Sequence, residues 1–92
     1  MKQRDEMAET HEIREGARVT GSHGERFGVV EEVRADSVSG APATFVVKTG
    51  FWPFQKRKQL SVDVIRQINN NPNNIIMNVS KKEFRGIPAL RE

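Results

Sequence analysis

Cysteine and tyrosine are both absent from this chain, and tryptophan occurs once among 92 residues. Without a thiol there is no disulfide staple, no cysteine nucleophile and no thiolate metal site, which fits a cytoplasmic setting. No apolar run approaches the roughly 20 residues that span a bilayer, so no membrane insertion is expected. Met1 to Glu12 lacks any apolar stretch, and no secretory signal is expected there. Also missing are a glycine-rich phosphate loop, a Ser-His-Asp spacing and a cluster of carboxylates. Ser, Thr and Lys are plentiful but none has a plausible activator beside it, and His11 and His23 have no convergent partners. The chain is therefore expected not to be an enzyme, and to need no cofactor and no metal.

What is present is a small charged protein, 36% hydrophobic and 29% charged, with material for one domain and one modest core. Residues 1–12 carry two cations against four carboxylates, so residues 13–92 hold +5 where the whole chain has +3. That first stretch has no hydrophobic period and is expected to be a flexible charged tail ahead of a domain spanning 13–92. The basic excess gathers at Lys56-Arg57-Lys58 and at Lys81, Lys82 and Arg85. Such clusters track an anionic partner, or form the wet face of an edge strand where lysine deters edge-to-edge pairing.

Period-two alternation marks six strands. Ala17 to Thr20 alternates around Val19, and Gly21-Ser22-His23-Gly24 supplies a hairpin tip. From Arg26 to Arg34 the alternation breaks, and a β-bulge near Glu31-Glu32 restores Val30 and Val33 to the core. Gly28 suits a close backbone approach or a sharp bend. Ala35 to Pro42 reads as a loop, Ala43 to Thr49 as a central β-branched strand, and Gly50 to Gln55 as an aromatic loop. Lys56 to Ser61 is a basic strand with Leu60 as its one apolar residue. Val62, Val64, Ile65 and Ile68 continue into a fifth strand, the asparagine-rich stretch Asn69 to Asn74 turns the chain, and Ile75 to Val79 forms the sixth. Ser80-Lys81-Lys82-Glu83 is a capping box opening a short helix that Phe84 anchors and Gly86 ends. The expected fold is mainly β, a small six-stranded barrel with a short C-terminal helical turn.

Phe51, Trp52 and Phe54, followed directly by Lys56, Arg57 and Lys58, are the candidate partner-binding residues, since aromatic anchors beside cations hold protein partners or stack on bases. The alternative is that this loop folds over an open barrel end and plugs it. His23 reads as an exposed turn residue. Glu31 and Glu32, adjacent in a regular strand, point to opposite faces and form no dyad unless the bulge intervenes.

Taken in order, several segments resemble the PRC-barrel family: Glu15-Gly16-Ala17-Arg18-Val19, Ser22-His23-Gly24-Glu25, Gly28-Val29-Val30-Glu31-Glu32-Val33, Thr44-Phe45-Val46-Val47-Lys48-Thr49-Gly50, Ser61-Val62-Asp63-Val64, and the Ser80-Lys81-Lys82-Glu83-Phe84 ending with Ile87-Pro88. The resemblance runs from about Ile13 to Pro88. It implies a six-stranded barrel of the kind found in the photosynthetic reaction-centre H subunit and in the C-terminal half of the ribosome maturation factor RimM. It also implies a non-catalytic adaptor that docks on proteins. Phe51-Trp52-Pro53-Phe54 departs from the glycine-rich loop that many members carry before the fourth strand. A protein partner is thus expected, with self-association a further expectation because short barrels with open edges pair. The rival is an RNA- or ribosome-associated module, since Gly16, Gly24 and Gly28-Val29-Val30 also resemble the KOW motif of SH3-like barrels; nucleic acid is the less favoured partner.

Overall fold

Alternation makes the strands of this protein, and the places where it fails in β2 are where the pairing register shifts. The computed structural model describes residues 13–50, 54–70 and 73–90. Its elements are β1 (Arg18–Gly21), β2 (Arg26–Ala35), β3 (Pro42–Thr49), β4 (Lys56–Ser61), a 3-10 turn (Val62–Val64), β5 (Ile65–Asn70), β6 (Asn73–Met77) and α1 (Lys81–Arg85). The six strands form one sheet in the order β4-β3-β2-β1-β6-β5, antiparallel throughout except for the parallel β1–β6 pair. β4 and β5 are its two ends, so the sheet is mainly β as expected but is not closed by hydrogen bonds into a continuous ladder.

The core takes inward-facing residues from five of the strands, with Ile65 and Ile68 of β5 packed against it only in part. Val19, Val30, Phe45, Val47, Leu60, Ile75 and Met77 meet there, with Ile13, Ala17, Val79 and Phe84 sealing the ends. Two irregularities in β2 make this possible. Pairing to β3 jumps from Val30↔Val47 to Glu32↔Val46, leaving Glu31 as the bulged residue and bringing Val33 opposite Phe45 and against the core. This is the bulge that the broken alternation predicts. A second shift is not visible in the sequence pattern: pairing to β1 jumps from Val19↔Gly28 to Thr20↔Arg26, which lets Phe27 turn inward. Gly28 sits beside it at φ 147°, and a β-carbon there would run into the Lys48 carbonyl oxygen of the neighbouring strand, so only glycine fits.

Three expectations need correction. Val62 and Val64 do not belong to the fifth strand: Ser61 Oγ accepts the Asp63 amide at 3.1 Å and turns the chain into a 3-10 turn, after which β5 begins at Ile65. The asparagine-rich stretch is mostly sheet and not a loop, because Asn69↔Asn74 and Asn70↔Asn73 extend the β5–β6 ladder to its tip. β6 correspondingly starts at Asn73 and ends at Met77, which leaves Val79 outside the strand, though buried. The capping box forms as predicted: Glu83 N–H donates to Ser80 Oγ at 3.1 Å and Ser80 N–H to Glu83 Oε1 at 2.8 Å.

Candidate ligand-binding face

Strand parity divides the basic run of β4. Lys56, Lys58 and Leu60 fall on the core side of the sheet, while Arg57 and Gln59 fall on the other. On that second side Arg34 and Arg57 are ion-paired. Arg57 pairs with Glu31, Arg34 Nε lies 3.3 Å from Glu32 Oε2, and Arg34 Nη1 donates to Gln59 Oε1 at 2.7 Å. The bulge does bring Glu31 and Glu32 to one face, where they line a shallow hollow with Arg34 and Arg57 over the buried Val46. Each carboxylate has its own arginine, so the pair is an ion-paired cover for Val46.

The core side is different. α1 docks by stacking Phe84 on Phe27, with ring centroids 4.4 Å apart and planes 18° from parallel. This places the carbonyl end of the helix over β4, and Lys58 answers it. Its ammonium donates to the Phe84 carbonyl at 2.7 Å and reaches the Arg85 carbonyl at 3.5 Å, while Nζ stands 4.7 Å from the Phe84 ring centroid. A cation at a helix C-terminus is favoured by the exposed carbonyls, and the ring face adds a second attraction. Lys58 is only 8% exposed, and burial, followed by the nearby Lys56 charge, pushes its ammonium below the ordinary 10.5.

Around Lys58 lies an open depression of about 210 Å³. Phe27 and Phe84 form its apolar floor, Thr49 contributes from β3, and Arg26, Lys56, Lys81 and Arg85 rim it. The two basic clusters, far apart in sequence, are thus drawn together by the docking of α1 onto β4. Arg26 is the member that sequence reasoning missed; its only signal is its place at the start of β2, next to the inward-turned Phe27.

The candidate residues separate accordingly. Phe51 and Trp52 lie outside the described residues. Phe54 is 81% exposed in the loop between Thr49 and Lys56. Lys56 and Lys58 share the depression, Lys58 also donating to the helix end, and Arg57 is engaged on the opposite face. His23 is an exposed hairpin-tip residue whose Nδ1 lies 3.3 Å from Ser22 Oγ and 4.0 Å from Glu25 Oε2. Glu25 is held below its usual 4.5 chiefly by its own amide and that of His23. Among the described residues no group of three or more His, Cys, Asp or Glu is arranged to hold a metal ion, and no helix is long and apolar enough to cross a membrane.

Six short strands in one sheet, finished by a capped helical turn that packs on the end strand, define a small mainly β module. The family model of the PRC-barrel domain matches residues 8–84, and the chain belongs to that family. A comparison with curated proteins finds no match.

Proposed function

We propose that this chain is a non-catalytic cytoplasmic barrel module, its β4–β5 seam closed by side chains, that docks on a protein partner. The docking face comprises the aromatic loop, with Phe51, Trp52 and Phe54 as apolar anchors, and the cationic rim of Lys56, Arg26, Lys81 and Arg85. One observation carries this: Phe54 stands 81% exposed in the loop that joins Thr49 to Lys56, and both of those residues line a depression crowded with cations. An exposed aromatic beside such a rim supplies an apolar anchor and an electrostatic guide in one surface.

The test is capture from native lysate with the tagged chain and its Trp52→Ala/Phe54→Ala variant, with and without nuclease, at two salt concentrations. The wild type should retain a defined protein through nuclease and moderate salt, and the variant should lose it without a change in its urea midpoint. Unchanged capture by the variant would sink the proposal. Ribosomal components that vanish with nuclease and fall steeply with salt would replace the protein partner by RNA.

A further inference from the structure

The depression is chemically unlike the opposite face of the same strands. There Arg34 of β2 and Arg57 of β4 each have a carboxylate; here Arg26, Lys56, Lys58, Lys81 and Arg85, from β2, β4 and α1, have none within ion-pair distance among the described residues. Glu25 acts on Lys81 only at longer range, and Glu83 is turned back to the Ser80 amide. Burying the Lys58 ammonium beside another lysine, with no counter-charge, is unfavourable. A bound anion offsets that cost.

Three properties select the anion. The depression, about 210 Å³ and open to solvent, has room for a phosphate group. Two of its cations are guanidiniums, whose paired N–H groups match the two-oxygen edge of a phosphate. Five positive charges exceed what one carboxylate neutralises, whereas a phosphate monoester brings about −1.5 to −2 and three acceptor oxygens. The carbonyl end of α1 would by itself repel an anion. Lys58, donating to the Phe84 carbonyl at 2.7 Å, covers that end with N–H groups.

We propose that the hollow rimmed by Arg26, Lys56, Lys81 and Arg85, with Lys58 at its base, is a subsite for a phosphomonoester carried by the docked partner, a phosphorylated serine or threonine. The subsite rests on the docking face proposed above and names the group that the partner presents there.

Amide NMR on the full chain at low salt tests it with three probes: a short phosphoserine peptide beside its unphosphorylated twin, inorganic pyrophosphate, and an unphosphorylated RNA of about ten nucleotides. The phosphopeptide should move the amides of Arg26, Phe27, Thr49, Lys56 and Arg85, and the twin should move none. Lys56→Gln with Arg85→Gln should weaken it at least about tenfold. Arg66→Gln with Lys82→Gln removes equal charge from exposed positions outside the hollow and should weaken it less than about twofold. Equal weakening by both pairs would reduce the effect to general attraction and overturn the subsite. Pyrophosphate binding without phosphopeptide binding would overturn the protein-borne source, and tighter binding of the RNA would overturn the monoester. If phosphopeptide binding fails while Phe54-dependent capture persists, the subsite falls and docking stands. If capture fails while phosphopeptide binding persists, the docking face falls alone.

Discussion

Lys58 is a buried ammonium held by backbone oxygens and a ring face, with no carboxylate beside it among the described residues. Its proton affinity is lower in the folded chain than in the unfolded one, because burial and then Lys56 push the ammonium below 10.5. Below the folded value both states are protonated and the cost of burying the charge is present in full. Between the folded value and 10.5 the unfolded chain binds more protons, so stability rises with pH across that alkaline window. Urea unfolding of the wild type and of Lys58→Met should therefore show the wild type gaining relative to the variant between pH 7 and about pH 10; parallel curves would contradict it. In the sequence Lys58 sits in a run of three cations and reads as solvated. The one clue to its burial is parity, since it lies two residues before Leu60, on the side of the strand that faces the core.

At the scale of elements, α1 is five residues long and cannot stand on helix propensity alone. Its cap and its Phe84–Phe27 stack hold it in place. Ser80→Ala removes the acceptor for the Glu83 amide and should cost about 1 kcal/mol, with Ser80→Asp keeping most of it, read as shifts in urea midpoint. Capping is local chemistry, and for that reason the helix was legible from four consecutive residues. The Glu31 bulge was legible for a related reason: Val30 and Val33 cannot both reach the core of a regular strand. Elements set by partners were not legible. Val62 and Val64 keep the strand parity of their neighbours, and only the Ser61 hydroxyl on the Asp63 amide diverts them. Asparagines 69, 70, 73 and 74 have poor strand propensity, yet the β5–β6 ladder pairs them, as tertiary pairing overrides propensity. The candidate site was legible in its parts, two basic clusters and an aromatic loop. Its assembly depends on which face of β4 receives α1, and no local pattern encodes that.

For the molecule as a whole, the linear strand order sets a gradient of protection. β2 and β3 are paired on both sides and contribute Val30, Phe45 and Val47, each at most 1% exposed, whereas β5 is paired on one side and ends in a polar tip. Amide hydrogen exchange should therefore be faster in β5 than in the centre of β3 by on the order of a hundredfold. Uniform protection would mean that β5 opens only with the whole domain. The two end strands also differ from each other. Leu90 N–H donates to the Arg57 carbonyl at 2.7 Å on the outer edge of β4, while among the described residues no turn or loop backbone group bonds to β5. The Leu90 amide thus takes up one of the backbone oxygens that β4 would otherwise present to a foreign strand, a local guard on that border.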